Sequence, residues 1–338
     1  MRQSSITEPE EISKVELEYI KWKNLQGISL ENEELYVVVL PRLGGKIASL
    51  KYKKKDFEVA AQYGGEEYKI PGKDPVFSEY DASGLDDAFP NIVGACVTQG
   101  QRQWKYPDHG EVWSSAFQHE IVGEQIVLKF ASRTLPYTYE KKISLKGSQV
   151  QIYYEIKNPG DIPFPCLWAF HGLVRYEEDM ELIYGKEADS FENVLDSPEL
   201  GKIGRRIPFR NQEYDFSRVP KRGSGTMVKY YADRKIHTGR CGYRYPSQGV
   251  ECILEYDTKE LPYLGVWITA GGFRGDYNCA MEPANGYYDD IRTAKENHSL
   301  YLLKKGKPLV FHMNIRLTEI KTGGQAWKTE VFQYGKKR

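Results

Sequence analysis

The stretch QVQIYYEIK, residues 149–157, decides the fold class. Its apolar side chains stand at every second position from Val150 to Ile156, and the residues between them are polar or amphipathic. An apolar residue at every second position is typical of an antiparallel β-strand with one buried face. The sequence NPGD at residues 158–161 follows at once and predicts a turn that ends this strand.

Similar runs rich in β-branched and aromatic residues recur along the whole chain, separated by Gly, Pro or charged turns. No long amphipathic helix and no fixed-period repeat interrupts them. Two packed sheets account best for so many short strands, so the sequence predicts an all-β protein, a large antiparallel two-sheet β-sandwich. Besides residues 149–157, we predict strands at residues 34–40, 46–52, 113–121, 125–133, 137–145, 226–232, 239–245, 249–256, 263–269, 299–303 and 309–318.

The domain organisation follows from the distribution of these runs. We predict a single sandwich domain over residues 34–320, preceded by an N-terminal extension (1–33) and followed by a C-terminal strand or tail (321–338). The polar stretch 184–222 has no clear periodicity and contains scattered Pro and Gly. It is predicted to be an excursion from the domain.

Composition and charge restrict the classes of partner. Lys plus Arg equals Asp plus Glu at 47 each, so no overall positive field attracts nucleic acid. Five cysteines form no Cys-x-x-Cys pair, which favours a reducing compartment. No secretory leader or membrane-spanning run is evident, and we expect a cytoplasmic protein with no membrane partner, monomeric or homodimeric.

Three residues in unusual settings are candidates for chemistry. His109 lies in YPDHGE and His171 in CLWAFHG, and each is followed by a glycine that permits close backbone approach or positive φ. Glu282 lies in NCAMEPANG, at the end of an apolar strand. Each also has a structural interpretation: a hydrogen-bonded histidine is common, and Glu282 could form a buried ion pair with an arginine.

Together these motifs resemble those of the galactose mutarotase-like, or aldose 1-epimerase, family. That family carries a first histidine in a His-Gly motif, a second at a strand end and a glutamate in a Glu-Pro turn, matched in order by His109, His171 and Glu282. The stretch LPYLGVW at residues 261–267 and the hairpin around residues 40–50 are also similar. The resemblance covers about residues 34–318.

The resemblance implies the family's fold and its reaction, interconversion of the α and β anomers of a monosaccharide or sugar derivative by acid–base ring opening. By the same resemblance Glu282 is the base, His171 the acid and His109 a donor that positions the ring. A base at the anomeric hydroxyl and an acid at the ring oxygen suffice, so neither metal nor cofactor is expected.

One departure from the family concerns ligand binding. Many members have an arginine about twenty-five residues before the first histidine, whereas this chain has GLDDAFPN at residues 84–91. Asp86 and Asp87 could accept hydrogen bonds from sugar hydroxyls, or they could be solvated turn residues. The remaining predicted substrate-binding residues are aromatic rings for the sugar face, Trp113 and Trp267, and cations for an anionic substituent, Arg102 and Arg175.

Two other functions remain open at this point. The same fold occurs in non-catalytic parts of larger carbohydrate-active enzymes, so a sugar-binding protein without turnover is one alternative. Glycoside hydrolysis is the other, because Glu282 with Asp86 or Asp87 could supply two carboxylates across one glycosidic bond.

Overall fold

A computed structural model describes residues 14–320. Within this range no helix is long and apolar enough to cross a membrane, and the one α-helix, α1, spans Ile291–Glu296. The β-strands are, in chain order, β1 (Glu16–Trp22), β2 (Leu25–Glu31), β3 (Leu35–Leu40), β4 (Lys46–Tyr52), β5 (Phe57–Glu58), β6 (Leu85–Ala88), β7 (Ala95–Gln99), β8 (Arg102–Tyr106), β9 (Gln118–Val122), β10 (Gln125–Ala131), β11 (Thr138–Lys146), β12 (Gln149–Lys157), β13 (Phe164–Cys166), β14 (Ala169–Gly172), β15 (Val174–Arg175), β16 (Glu181–Ile183), β17 (Ser190–Asn193), β18 (Arg206–Pro208), β19 (Thr226–Ala232), β20 (Arg240–Tyr245), β21 (Val250–Tyr256), β22 (Tyr263–Ala270), β23 (Tyr277–Ala284), β24 (Tyr301–Leu303) and β25 (Leu309–Glu319).

Two large antiparallel sheets contain most of these strands. The larger sheet has 13 strands in the described residues, in the order β1-β2-β3-β4-β6-β14-β23-β22-β19-β17-β18, with β5 on β4 and β15 on β23. The smaller sheet has eight, in the order β16-β20-β21-β25-β12-β11-β10-β9. One apolar core, to which both sheets contribute, joins their facing sides. The predicted all-β two-sheet sandwich is confirmed.

The period-two pattern that predicted β12 reflects alternating burial of its side chains. Val150, Ile152, Tyr154 and Ile156 are buried, and the residues between them are partly exposed. The prediction at residues 113–121 is wrong over its first half, because the strand there is β9 and begins only at Gln118.

The sheet extends beyond the predicted domain boundaries. β1 and β2 lie within the predicted N-terminal extension, yet they pair with each other and onto β3, so the sandwich includes them. The excursion at residues 184–222 contributes β17 and β18, which pair outward from β19. The predicted C-terminal strand or tail at 321–338 lies outside the described residues.

The register of the central strands places several ionisable side chains in one row. Asp86 of β6 is directly opposite His171 of β14. The pairs Ala169–Ala284 and Val174–Cys279 continue the same register onto β23, which puts His171 opposite Glu282. Because directly opposed residues of antiparallel strands project from the same face, this row lies on one side of the large sheet.

Candidate active site

A cleft of about 540 Å³ opens on the face of the large sheet that points away from the smaller sheet. The ionisable groups that line it come from four separate segments of the chain, whereas most of the remaining wall is apolar or aromatic. The ionisable residues are Asp108, His109, His171, Lys229, Asp289 and Asp290, and the aromatic residues are Phe77, Trp267, Phe273 and Tyr288.

His171 reaches the cleft from β14, in the middle of the sheet. Its Nδ1 lies 3.0 Å from Oδ1 of Asp86, its neighbour in the adjacent strand. Nε2 has no hydrogen-bond partner within residues 14–320. The following glycine is required by packing, because a Cβ at Gly172 would lie 2.2 Å from the ring of Phe170.

His109 reaches the same cleft from the loop after β8. The backbone there is left-handed at two successive positions, with φ of 55° at His109 and 75° at Gly110. A Cβ at Gly110 would lie 2.1 Å from the carbonyl oxygen of Phe89, so only glycine fits at this position. This tight turn aims the imidazole into the cleft, and its Nδ1 lies 2.9 Å from Oδ1 of Asp108.

The two imidazoles face each other across a short gap. Their ring centroids are 5.4 Å apart, with the planes at 76°. Phe77 packs against both, stacked on His109 at 4.3 Å and edge-on to His171 at 4.9 Å. Enclosure in the cleft lowers the pKa of His109, and the hydrogen bond to Asp108 only partly offsets this effect. The structure thus places two of the three predicted catalytic residues, His109 and His171, in the lining of one cleft.

Asp86 belongs to a buried chain of charges behind His171. Its second oxygen lies 3.5 Å from Nζ of Lys46, which is also 2.5 Å from Asp81. Burial alone would raise the pKa of Asp86, but Lys46 and His171 outweigh burial and hold the pKa below its ordinary value. Asp86 is therefore an ionised partner of His171, and its 2 % exposure leaves little surface for a sugar hydroxyl.

Glu282 lies behind a lysine that the sequence analysis did not single out. Nζ of Lys229, from β19, is 2.7 Å from Oε2 of Glu282 and 3.2 Å from Oδ2 of Asp289. Glu282 is only 1 % exposed and does not line the cleft, whereas Lys229 and Asp289 do. Burial lowers the pKa of Lys229, but Asp289 and Glu282 more than compensate and raise it above its ordinary value. The predicted structural alternative, a buried ion pair, is thus present with lysine in place of arginine.

Lys229 had a signal in the sequence. It is the single charged residue in the otherwise apolar strand TMVKYYA, and it pairs in register with Trp267. A charged side chain in the middle of a buried strand requires a partner, so this pattern could have identified the position. Asp289 follows β23 in a loop with no comparable pattern and could not be found this way.

The two tryptophans that were predicted to contact a sugar differ in their position relative to the cleft. Trp267 lines the cleft, and its Nε1 donates to Oδ1 of Asn278 at 2.9 Å, which fixes the ring. Trp113 is 3 % exposed and lies behind Phe77, with ring centroids 5.1 Å apart. Its Nε1 donates to the carbonyl oxygen of Asp108, so Trp113 supports the loop that carries His109.

Three other predicted binding residues do not reach the cleft. Asp87 points into the space between the two sheets, fully buried, because it is one residue out of phase with Asp86. Arg102 lies over the ring of Trp104 in a separate depression, and Arg175 pairs with Glu177 in another. Asp87 and Glu282 therefore do not face each other across the cleft, and the expectation of that pair for glycoside hydrolysis is corrected.

Within residues 14–320, no group of three or more His, Cys, Asp or Glu side chains is arranged to hold a metal ion. No protein-family model and no curated protein matches the sequence.

Solved structures with the same architecture are similar over nearly the whole chain. A galactose mutarotase-like protein from Clostridium acetobutylicum has a TM-score of 0.66 at 13 % identity, covering 91 % of this chain and 99 % of its own. A galactose mutarotase related enzyme from Lactobacillus acidophilus has a TM-score of 0.62 at 15 % identity, covering 88 % and 100 %. A galactose mutarotase-like protein from Lactobacillus casei has the same TM-score, 0.62, at 15 % identity, covering 86 % and 100 %. The chain therefore has the galactose mutarotase-like fold.

Proposed function

We propose that this protein is an aldose 1-epimerase-like isomerase that interconverts the α and β anomers of a monosaccharide in this cleft. The observation that carries the proposal is the pair of imidazoles of His109 and His171. Their ring centroids are 5.4 Å apart, and Nδ1 of each lies within hydrogen-bond distance of an aspartate. Such a hydrogen bond fixes the orientation of an imidazole and leaves Nε2 to exchange a proton with a ligand. Opening a hemiacetal needs a proton acceptor and a proton donor near one carbon, and two adjacent imidazoles can supply both.

The walls of the cleft suit an uncharged sugar. Trp267 and Tyr288 offer flat surfaces for the apolar face of a pyranose, and Lys229 and Asp289 offer polar groups for its hydroxyls. Among the described residues that line the cleft there is no arginine, and Lys229 already has two carboxylates beside it. These features favour a neutral monosaccharide over a phosphosugar or a uronate.

Anomer-resolved proton NMR tests the proposal directly. Freshly dissolved α-glucose, α-galactose and related aldoses are followed to equilibrium with and without the protein. We expect acceleration of at least one sugar and a loss of about a hundredfold or more in His171→Asn, the size of a lost acid–base contribution. His312→Asn, on the exposed side of β25 in the smaller sheet, is the matched control and should keep full activity.

Three results would contradict this function. They are equal equilibration rates with and without protein for every sugar, full activity in His171→Asn, or an equal loss in His312→Asn. Saturation of the cleft by sugars without any acceleration would instead identify a sugar-binding protein of the same fold.

A further inference from the structure

We propose that the substrate of this cleft is an aldose with an apolar substituent on a carbon remote from C1, and that Val194, Leu195 and Ile203 bind this substituent. These three residues, which we term the excursion wall, belong to the stretch 184–222 and line the cleft. The inference rests on the proposed function and names its class of substrate.

The cleft is longer than one sugar ring. His171 lies on β14, whereas Val194 directly follows β17, four strands across the large sheet. Neighbouring strands are about 4.8 Å apart, so the span is about 19 Å. The floor between the two ends is continuous, because Trp267 pairs with Lys229, and the carbonyl oxygen of Lys229 accepts from the amide of Val194. A monosaccharide with C1 at the imidazoles covers about half of this span at most, so the excursion wall faces a different part of the ligand.

The side chains of the excursion wall are apolar and partly open to water. Ile203 is 56 % exposed, and Val194 and Leu195 are half-buried. Val93, which is 41 % exposed, lines the same cleft from the loop after β6. Exposed apolar side chains that occur singly are normal, but several that line one cleft mark a place where a ligand buries an apolar group. The wall therefore suits a hydrocarbon substituent.

The backbone amides of the excursion wall are already hydrogen-bonded within the protein. The amide of Val194 donates to a carbonyl oxygen of β19 at 3.0 Å. The amide of Leu195 donates to Oδ1 of Asn193 at 3.3 Å, and that of Ile203 donates to Oδ1 of Asp196 at 2.7 Å. A second sugar ring at this place would bury its hydroxyls against hydrocarbon without a free amide donor, which costs free energy. An apolar substituent incurs no such cost.

The polar side chains beside the excursion wall also have partners. Lys229 lies next to the carboxylates of Glu282 and Asp289. The hydroxyl of Tyr288 donates to Oε1 of Glu192, on β17, at 2.6 Å, so that its ring is the part that remains for a ligand. The cleft is thus divided along its length, with the imidazoles at the β14 end and hydrocarbon at the β17 end.

The excursion wall is held in place by its own loop. Asn193 is 1 % exposed, its Nδ2 donates to the carbonyl oxygen of Gly201 at 2.8 Å, and its amide donates to that of Arg205 at 2.8 Å. Ser197 and Gly201 exchange two further backbone hydrogen bonds across the loop. A wall that is fixed before the ligand arrives loses little conformational freedom on binding, which favours affinity.

The test compares derivatives of one aldose by anomer-resolved proton NMR, each added as a single anomer. The derivatives are the butyl ethers at O4 and at O6 and the 2-methoxyethyl ethers at the same oxygens, in which one methylene of the butyl group is replaced by oxygen. We expect one butyl ether to exceed the free aldose in kcat/KM by about fourfold for each methylene that it buries. The matching 2-methoxyethyl ether should gain much less.

A pair of variants locates the binding of the substituent. Ile203→Asn should lower the ratio of kcat/KM for the butyl ether to kcat/KM for the free aldose by about fourfold or more. Ile162→Asn replaces another exposed isoleucine, 41 % exposed and outside the cleft, and is the matched control that should keep the ratio.

Three results would overturn the assignment and leave the isomerase function standing. They are equal kcat/KM for the free aldose and all four ethers, an equal fall of the ratio in both variants, or a preference for a reducing disaccharide linked at O4 or O6 over the butyl ethers. The last result would place a second sugar against the excursion wall. Failure of the wild-type protein to equilibrate any of these compounds would overturn both proposals.

Discussion

Asp86 and Asp87 are chemically identical neighbours on one strand, yet their side chains project from opposite faces of the large sheet. Asp86 contacts His171 and Lys46 on the face that carries the cleft. Asp87 points into the core, where its carboxylate accepts hydrogen bonds from Lys141, Tyr139 and Tyr154 of the smaller sheet. The difference follows only from the alternation of side chains along a strand. A shift of one position along the strand therefore separates a side chain that contacts the cleft residues from one that joins the two sheets.

The two aspartates also differ in the number of carboxylates that pair with the lysine beside each of them. Lys141 is fully buried, and Asp87 is its only carboxylate partner among the described residues. Lys46 has both Asp81 and Asp86. The same substitution at the two positions should therefore separate stability from activity.

The largest effect on stability is expected for Asp87→Asn. It leaves Lys141 buried without a counter-ion, and breaking such a pair costs about 3–5 kcal/mol of unfolding free energy. Urea denaturation followed by tryptophan fluorescence measures the loss. Asp161→Asn, which removes an exposed partner of Lys305, is the matched control and should leave the denaturation midpoint unchanged. A change at Asp87 no greater than at Asp161 would refute a joining role for Asp87.

Asp86→Asn should give the reverse pattern. Asparagine can donate to Nδ1 of His171 and thereby favour the tautomer with its proton on Nε2. We expect kcat to fall by about a hundredfold, with a smaller loss of stability than in Asp87→Asn, because Lys46 keeps Asp81. Nitrogen-15 NMR of the imidazoles reads the tautomer independently of turnover. An unchanged tautomer with unchanged kcat would mean that Asp86 does not position His171.

The smallest expected effect is a pH dependence of stability caused by His109. Its pKa in the folded state lies below 6.5, the value expected for the unfolded chain. Just below pH 6.5 the unfolded state therefore binds more protons, and the free energy of unfolding rises with pH in that window. In His109→Asn this part of the slope should disappear when urea denaturation is repeated from pH 5 to 7. A slope unchanged by the substitution would show that His109 titrates alike in both states.

Much of the fold followed from local sequence patterns. The alternation in β12 and the similar runs in β4, β10, β11 and β19 depend on neighbouring residues only, so the sequence located them closely. β1 was missed because LEYIKW carries exposed and charged side chains at an edge and does not show a clear buried face. β2 was missed although most of its residues are buried. Residues 113–117 were misassigned because their two aromatic side chains, Trp113 and Phe117, are buried from a turn and not from a strand.

The site was predictable in part for the same reason. The His-Gly dipeptides marked places where the backbone is constrained, and both histidines line the cleft. Which face Asp87 occupies depends on the register of β6 against β14, and the partner of Glu282 depends on β19, more than fifty residues earlier in the chain. Contacts between distant strands of this kind leave no local signal.

The excursion at residues 184–222 supplies one wall of the cleft, through Val194, Leu195 and the half-exposed Ile203. Its backbone is attached to the scaffold next to Lys229, where the amide of Val194 donates to the carbonyl oxygen of that residue. Under the proposed function, the residues that shape the entrance and the residues that react are thus encoded in different parts of the chain. Substitutions at Leu195 or Ile203 can reshape the entrance while His171 and Lys229, fixed by strand register, stay in place. Under the proposed function, this gives one scaffold a route to diverge in the sugars that it accepts.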